Sequence, residues 1–278
     1  IMIIHNQNFD KNEVIRIKSW ETLLDLEKLE HDQIIYGQIN DIIKIMSSKS
    51  KNKKYIYVAS YNGDFGIYSY NNIFKIGTTD YVAEYFDKFP DNLYHLFSTN
   101  LHLTNNKCTC MPYGISEKAN IESKNNNKDI LCYARFSFWT FPNARVPLRH
   151  WCEKQNFIYS EFSYNPQSQS EETINNYIKN LSKSKFSICP IGNGPDTFRV
   201  WESLYSGAIP IVINYDIYKN FNELPILKIK KWTDLNENLL NYVYKTYIDY
   251  KFDLSKLKIN YYNNLIRAKL NDLINESK

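Results

Sequence analysis

The fold and the candidate site are both decided by one stretch, KFSICPIGNGPDTFRVWESLYSGAIPIV, which spans Lys185–Val212. The run Lys185–Cys189 predicts a strand, and the loop after it contains the two glycines of Gly192–Gly194. We expect a helix over residues 196–206. The run Ile209–Asn214 is almost wholly apolar, which is typical of a strand in a parallel sheet that is covered on both faces.

The turn that joins this strand to the helix predicts a site for an anion. Unpaired backbone N–H groups and the helix dipole converge at a helix N-terminus, and Pro195 fits the first turn because its missing N–H costs nothing there. In open α/β sheets, ligands bind at the carboxyl ends of the strands, where this turn lies. The stretch has neither GxGxxG nor a Walker lysine, which argues against NAD-dependent dehydrogenases and P-loop NTPases. The candidate ligand-binding residues in and after this turn are Gly192, Asn193, Gly194, Asp196 and Thr197.

One face of the predicted helix carries charged side chains. Helical spacing places Asp196, Arg199 and Glu202 on that face, offset from the apolar face that packs on the sheet. Arg199 can neutralise a diphosphate, and Glu202 can accept hydrogen bonds from the ribose hydroxyls of a nucleotide. The same spacing fits a plain surface helix with an Asp196–Arg199 ion pair worth roughly a few tenths of a kcal/mol. Spacing alone does not separate the two interpretations.

The rest of the chain predicts two α/β halves joined by a polar linker. In the first half, strands at Gln33–Tyr36 and Lys54–Ser60 flank a helix over Ile39–Met46, which makes a βαβ unit and implies a parallel sheet. The linker, Glu117–Lys128, is polar and lacks apolar periodicity. We therefore expect domains over residues 1–125 and 126–250, and a C-terminal helix over 251–278 that can cross back to the first domain.

Patterns in the remaining segments predict further strands and helices. Ser168 and Glu171 have the spacing of a capping box, which would open a helix with Tyr177 on its buried face. The other predicted elements are Leu93–Asn100, Cys108–Gly114, Asp129–Phe136, Pro147–Gln155, Asn156–Tyr159, Leu239–Tyr250 and Tyr261–Ile274.

Composition and charge restrict the class of protein. The 278 residues are 43% hydrophobic and 23% charged, which is enough to bury a core and argues against a disordered chain. The net charge of +4 comes from interspersed residues, so we expect no nucleic-acid partner. The five cysteines resemble neither a disulfide framework nor a set of zinc ligands. No apolar run reaches the roughly 18 residues of a membrane span, and we expect a cytoplasmic protein.

The stretch Lys185–Val212 resembles the C-terminal signature of the exostosin-like glycosyltransferases. The shared features are a proline followed by a Gly-Asn-Gly turn, then an Asp, an Arg, a Trp-Glu pair, a Gly and Ile-Pro-Ile-Val. One departure is Ile191, which stands where that family has an arginine after the proline. The resemblance extends to Asp64 in YNGDFG, Asn100, Pro112-Tyr113-Gly114, Glu223-Leu224-Pro225 and Trp232.

The resemblance implies a GT-B fold, in which two Rossmann-like domains face each other across a cleft and the C-terminal one holds the nucleotide-sugar donor. It also implies inversion at the anomeric carbon without a metal or other cofactor, and it favours UDP over GDP. The sequence has no Asp-x-Asp pair to hold a divalent cation, so Arg199 and the helix N-terminus would balance the charge of the leaving group. Arg135 or Arg145 could supply the charge that is missing at Ile191.

An inverting transfer also needs a base that takes the proton of the acceptor hydroxyl, and Asp64 is our candidate. Asp64 ends Asn62-Gly63-Asp64, after a predicted strand, where a loop would enter the cleft. A turn aspartate in an ordinary Asn-Gly hairpin explains the same residues. The other candidates are His5, Asp80, His102 and Glu161.

Different functions are compatible with these residues. The first is an inverting, metal-independent glycosyltransferase that moves a sugar from a nucleotide-sugar, expected to be a UDP-sugar, to a hydroxyl of a glycan acceptor. A fucosyltransferase-like GT-B enzyme that uses a GDP-sugar shares a comparable Gly-x-Ile-Pro stretch. A nucleotide-sugar or glycan-binding module without turnover is kept open by Ile191, and an interaction protein with a Rossmann-like core would bind no nucleoside diphosphate.

Overall fold

The protein forms two compact units. Its computed structural model describes residues 13–15, 32–37, 39–59, 66–70, 73–78, 81–86, 90–102, 106–116, 118–121, 127–162 and 170–278. The first unit comprises Ile15–Tyr113, Asn193–Asp196 and Ser255–Lys278. The second unit comprises Ile1–Val14, Gly114–Gly192 and Thr197–Leu254.

Strands and helices alternate along most of the described chain. The strands are β1 (Ile34–Gly37), β2 (Tyr55–Ala59), β3 (Gly66–Tyr70), β4 (Ile73–Thr78), β5 (Tyr81–Phe86), β6 (Leu93–Ser98), β7 (Cys108–Cys110), β8 (Ile130–Ala134), β9 (Ile158–Ser160), β10 (Ser184–Ile188), β11 (Ile209–Ile213) and β12 (Leu227–Ile229). The α-helices are α1 (Ile39–Ser48), α2 (Pro142–Cys152), α3 (Glu171–Ser182), α4 (Phe198–Tyr205), α5 (Glu237–Asp249) and α6 (Ile259–Glu276). Short 3-10 helices cover Asp216–Phe221, Trp232–Asp234 and Ser255–Leu257.

The first unit is built on a parallel sheet with the strand order β1-β2-β6-β7. Strand β2 is buried along its whole length, which explains why its sequence is a continuous apolar run. The C-terminal helix α6 closes one side of this core, because Tyr262 and Ile266 pack with Val58 and Phe97. A second, antiparallel sheet has the order β3-β4-β5, which no sequence pattern described above predicts.

The second unit is built on a parallel sheet with the strand order β12-β11-β10-β8-β9. Strands β10 and β11 lie at its centre, and Phe186, Ile188 and Ile211 are fully buried in the core. Helix α5 covers this core through Leu240. The α/β class and the parallel sheets are therefore as predicted.

Two helix starts in the second unit differ from the prediction. Helix α2 begins at Pro142, and Pro147 lies inside it rather than at its start. Both prolines have the fixed φ that suits a first turn, and the sequence pattern favoured the wrong one. The cap of helix α3 is Ser170, whose hydroxyl accepts from the Thr173 amide at 3.2 Å, so Glu171 is the first helical residue and not the third of a capping box. Ser168 lies outside the described residues.

Candidate functional site

The loop that follows β10 carries the candidate site, and it is longer than expected. Helix α4 begins at Phe198, and Thr197 is its N-cap with an extended backbone (φ −137°, ψ 153°). The predicted start at residue 196, with Pro195 in the first turn, is therefore wrong. The physical reason is that Asp196 uses both its amide and its carboxylate to bind groups outside the helix.

Asp196 is fixed inside the first unit by Asn100 and Tyr113. The Asp196 amide donates to Asn100 Oδ1 at 3.1 Å, and Asp196 Oδ2 accepts from the Tyr113 amide at 2.9 Å. Asn100 is fully buried with a left-handed backbone (φ 51°), which asparagine adopts more readily than most residues. A Cβ on Gly194 would lie 2.9 Å from Asn100 Nδ2, so only glycine fits there without displacing the amide. These contacts determine the path of residues 193–196.

Arg145 determines the path of the loop on the other side of the glycines. It is 5% exposed, and its guanidinium donates to the carbonyls of Ile191 (2.6 Å), Ser137 (2.8 Å) and Pro190 (3.3 Å). A Cβ on Gly192 would lie 3.4 Å from Arg145 Nη2, which explains a small residue at that position. Arg145 is therefore not a surface residue, because its guanidinium is buried against the backbone of the loop.

Arg199 and Arg135 lie against one aromatic ring, that of Tyr177. Their guanidinium carbons are 5.6 Å and 5.5 Å from the ring centroid, which is within the range of a cation–π interaction. Burial alone would lower the pKa of Arg199, but Tyr177 and other acidic neighbours outweigh it and the pKa is raised. Burial and the nearby charge of Arg199 lower the pKa of Arg145 to about 9, which leaves both arginines charged at neutral pH.

Glu202 completes the charged face of α4, but this face is not a solvated surface. Glu202 is 6% exposed, its Oε2 accepts from the Tyr177 hydroxyl at 2.8 Å, and the backbone of Ser116 also hydrogen-bonds the carboxylate. Burial raises the pKa of Glu202, whereas Arg199 and the Tyr177 hydroxyl oppose that shift. The alternative of an exposed helix with an ordinary surface ion pair is therefore wrong.

Two polar atoms at the start of α4 are buried without a protein partner. Within the part of the chain that the structure describes, neither Thr197 Oγ1 nor Arg199 Nε makes a hydrogen bond. A buried donor left unpaired is costly, by about 1–3 kcal/mol. Both atoms can donate to an anionic oxygen, so a phosphate at this end of the helix would satisfy them.

Arg135 has a second set of contacts at the carboxyl edge of the sheet. Its Nη1 donates to the Thr173 carbonyl at 3.3 Å and lies 3.9 Å from Glu161 Oε2. Burial alone would raise the pKa of Glu161, but hydrogen bonds from Tyr133, Asn180 and Tyr159 outweigh it and lower the pKa. A carboxylate held in its charged form by four neighbours is a poor proton acceptor, which disfavours Glu161 as the catalytic base.

Of the remaining candidates for the catalytic base, the structure describes only His102. His102 is half-buried and follows Leu101 in the first unit. Asp64, Asp80 and His5 lie outside the described residues, so the assignment of Asp64 as the base stays a prediction.

Among the described residues, no group of three or more His, Cys, Asp or Glu side chains could hold a metal ion. None of the helices in the described segments is both long enough and apolar enough to cross a bilayer.

The site residues lie within a recognisable family domain. The sequence profile of the Exostosin GT47 domain matches residues 56–232, which include α2, the loop after β10 and α4. The chain belongs to the exostosin GT47 family. The family predicted from Lys185–Val212 is confirmed, and the match favours it over the fucosyltransferase-like alternative.

Individual relatives of this exostosin GT47 chain are distant. It is 35% identical over 83 residues to the probable glycosyltransferase At5g03795 of Arabidopsis thaliana, a match that covers 30% of this chain and 15% of the plant protein. Among solved structures, it is similar to the pneumococcal O-GlcNAc transferase GtfA in complex with UDP and GlcNAc, with a TM-score of 0.36 and 11% identity. That similarity covers 84% of this chain and 52% of the pneumococcal chain.

Sequence reasoning missed three residues of the site. Tyr177 was placed only on the buried face of a helix, because helical periodicity reports burial and not the partners of a hydroxyl. Asn100 and Tyr113 lie about 80 to 100 positions from Asp196, and no local pattern links them. Their appearance in the family resemblance was the one signal that could have indicated them.

Proposed function

We propose that the protein is an inverting, metal-independent glycosyltransferase that moves a sugar from a UDP-sugar to a hydroxyl of a glycan acceptor. Membership of the exostosin GT47 family supports the reaction class. The observation that carries the donor assignment is the pair of buried, unpartnered atoms Thr197 Oγ1 and Arg199 Nε at the start of α4. The preference for UDP and the inversion come from the family resemblance.

The donor binds along α4 in this proposal. The diphosphate lies at the N-terminus of the helix, where Thr197, Arg199 and the amides of the Gly192–Gly194 loop donate to its oxygens. The ribose hydroxyls donate to Glu202, whose carboxylate is already oriented by Tyr177. Arg145 acts indirectly, because it holds the carbonyls of the loop and so directs the loop amides.

The reaction is a single displacement. The acceptor oxygen attacks the anomeric carbon as the bond from that carbon to the phosphate oxygen breaks, through a transition state that resembles an oxocarbenium ion. Negative charge develops on the leaving UDP, and Arg199 with the helix N-terminus stabilises it without a cation. The acceptor proton passes to a carboxylate base, for which we retain Asp64.

The experiment that tests this proposal is a thermal-unfolding panel in the presence of EDTA. UDP at 100 times its Kd should add about 2.7 kcal/mol to the free energy of unfolding, whereas ADP at the same concentration should add much less. UDP-sugars are then incubated with the protein, and release of UDP by slow hydrolysis is measured. Binding without any hydrolysis would favour the non-catalytic module.

A matched pair of variants makes the test specific to the site. Arg199→Ala should abolish the shift caused by UDP, whereas Arg267→Ala, which removes an exposed arginine of the first unit, should retain it. A shift that survives in Arg199→Ala, or an absolute requirement for manganese or magnesium, would contradict the proposal.

A further inference from the structure

The loop between β8 and α2 presents two aromatic side chains to solvent. Trp139 is 61% exposed and Phe141 is 37% exposed. Burying such rings is normally favourable by about 1.5–3 kcal/mol each, so their exposure on one loop needs a reason. Across the described residues, the exposed large hydrophobic side chains are Trp139, Phe141, Tyr159, Tyr242 and Tyr250.

The backbone of this loop is strained at one of the two aromatic residues, Phe141. Phe141 is the N-cap of α2, and its backbone is left-handed (φ 54°, ψ 62°). This conformation is uncommon for a residue with a bulky side chain, and strained residues concentrate at binding and catalytic sites. The Phe141 carbonyl accepts from the amides of Ala144 and Arg145 at 3.2 Å, so the start of the helix holds the strained residue in place.

Thr140, the residue between the two rings, lies beside the candidate donor loop. A Cβ added to Gly192 would lie 3.6 Å from Thr140 Cγ2 and 3.5 Å from Thr197 Cγ2. The loop that carries the two aromatic residues therefore adjoins the N-terminus of α4 at Thr140. Glu202, the proposed ribose ligand, lies more than one helical turn further along α4. A donor with its ribose at Glu202 and its phosphates at Thr197 points its sugar end towards the aromatic pair.

We propose that Trp139 and Phe141 form a platform on which a pyranose ring of the acceptor glycan stacks. This inference rests on the proposed glycosyltransferase function and adds an acceptor subsite to it. The C–H face of a pyranose is apolar and packs on an aromatic ring, while its equatorial hydroxyls remain in water. The Trp139 ring packs on Phe138 at a centroid distance of 5.3 Å and is 61% exposed, so the exposed part of the ring is accessible to a sugar.

The size of the platform argues against a protein partner. At 61% and 37% exposure, the two aromatic side chains present roughly 150–250 Å² between them, whereas a stable protein interface buries about 800 Å² on each side. One or two sugar rings match the smaller area. The nucleobase of the donor is a poorer occupant, because its attachment to the ribose places it at the Glu202 end.

The test measures glycan binding and UDP binding on the same protein. The probes are β-1,4-linked tetrasaccharides of glucose, xylose, galactose and N-acetylglucosamine, titrated by NMR in the presence of saturating UDP. We expect at least one probe to bind, and Trp139→Ala to raise its Kd about tenfold, which corresponds to the loss of one aromatic stacking contact. Trp139→Phe should recover most of the affinity.

The matched control is Tyr242→Ala, because Tyr242 is 71% exposed on α5 and is not part of the loop. It should leave the Kd of the tetrasaccharide unchanged, and both alanine variants should bind UDP within about twofold of the unmodified protein. Equal tetrasaccharide affinity in Trp139→Ala and Tyr242→Ala overturns the platform, as does the absence of binding by all four probes when UDP binds. Failure of UDP binding in the unmodified protein would instead overturn the proposed function.

Discussion

The hydroxyl of Tyr177 donates a 2.8 Å hydrogen bond to Oε2 of Glu202, and it joins helix α3 to helix α4. The ring of the same tyrosine lies against the guanidinium groups of Arg135 and Arg199. One buried side chain therefore orients the proposed ribose ligand through its hydroxyl and two cations through its ring. Tyr177 is a positioning residue, and its two roles can be separated by substitution.

Tyr177→Phe removes the hydroxyl and keeps the ring. We expect the free energy of unfolding to fall by about 1–2 kcal/mol, because a buried carboxylate loses a hydrogen-bond donor. The Kd of UDP should rise several-fold, since Glu202 is less well oriented for the ribose. Tyr177→Leu also removes the ring from both arginines and should raise that Kd by a further factor of about five. Urea unfolding and calorimetric titration with UDP measure the two quantities.

The control for this pair is Tyr242→Phe, which alters a tyrosine that is 71% exposed. It should change neither stability nor UDP affinity. If Tyr177→Phe lowered stability while the Kd of UDP stayed constant, the hydrogen bond would serve only the packing of α3 on α4, and the role in positioning Glu202 would be wrong.

Arg199→Lys tests whether the fork of donors on the guanidinium is needed or only its charge. Lysine keeps the positive charge but is a flexible point charge that cannot donate in two parallel directions. We expect the Kd of UDP to rise by about 10- to 30-fold, which corresponds to one lost charge-assisted hydrogen bond. The Kd of uridine, which has no phosphate, should change by less than twofold. An equal loss for uridine and UDP would place the diphosphate away from Arg199.

The sequence predicted the α/β class and the identity of most of the charged residues, because both depend on local patterns. Strand β11 is a continuous apolar run, and the 3.6-residue period places Arg199 and Glu202 on one face of a helix. Helix starts were less reliable. The predicted helix start at residue 196 is wrong because Asp196 is held by Asn100. A contact between residues 96 positions apart produces no periodic pattern in the sequence.

The role of Arg145 illustrates the same limit. Its type suggested a phosphate contact, but the structure directs its guanidinium to three backbone carbonyls. Charge is visible in a sequence, whereas the partner of that charge depends on where the loop after β10 folds back. The sequence alone does not distinguish a buried arginine that organises a loop from one that binds a ligand directly.

Because Gly194 lies close to Asn100, we expect substitutions at these two positions to have coupled effects on stability. Gly194→Ala places a Cβ 2.9 Å from Asn100 Nδ2 and must displace an amide that also accepts from Asp196. We expect a loss of about 2 kcal/mol in the free energy of unfolding. Asn100→Gly tolerates the left-handed backbone and removes the obstructing side chain, at the cost of the bond to Asp196.

The double variant then decides whether the two residues act together. In the Asn100→Gly background, Gly194→Ala should cost less than about 0.5 kcal/mol, because its Cβ no longer meets an amide. A matched substitution is Gly192→Ala, whose Cβ would lie 3.4 Å from Arg145 Nη2 and should be insensitive to Asn100→Gly. Additive losses for Gly194→Ala and Asn100→Gly would show that the contact is not the source of the cost.

His95 makes the stability of the first unit depend on pH. It lies on β6, 3% exposed, with Nε2 2.9 Å from the Thr109 hydroxyl, and burial together with the charge of Lys269 lowers its pKa from 6.5 to about 4. The native state therefore holds His95 neutral, while the unfolded chain binds a proton below about pH 6.5. This contribution to stability is complete above pH 6.5 and is lost as the pH falls towards 4, by about 3 kcal/mol in total.

His95→Gln should remove that dependence, because glutamine can still bond Thr109 and does not titrate. Urea unfolding at pH 7 and at pH 5 measures the difference, and the unmodified protein should lose about 2 kcal/mol more than the variant between these two values. His150→Gln, which replaces an exposed histidine on α2, is the control and should follow the unmodified protein. The same loss in His95→Gln and in the unmodified protein would mean that His95 accepts a proton in the native state, and that the core around β6 admits water at low pH.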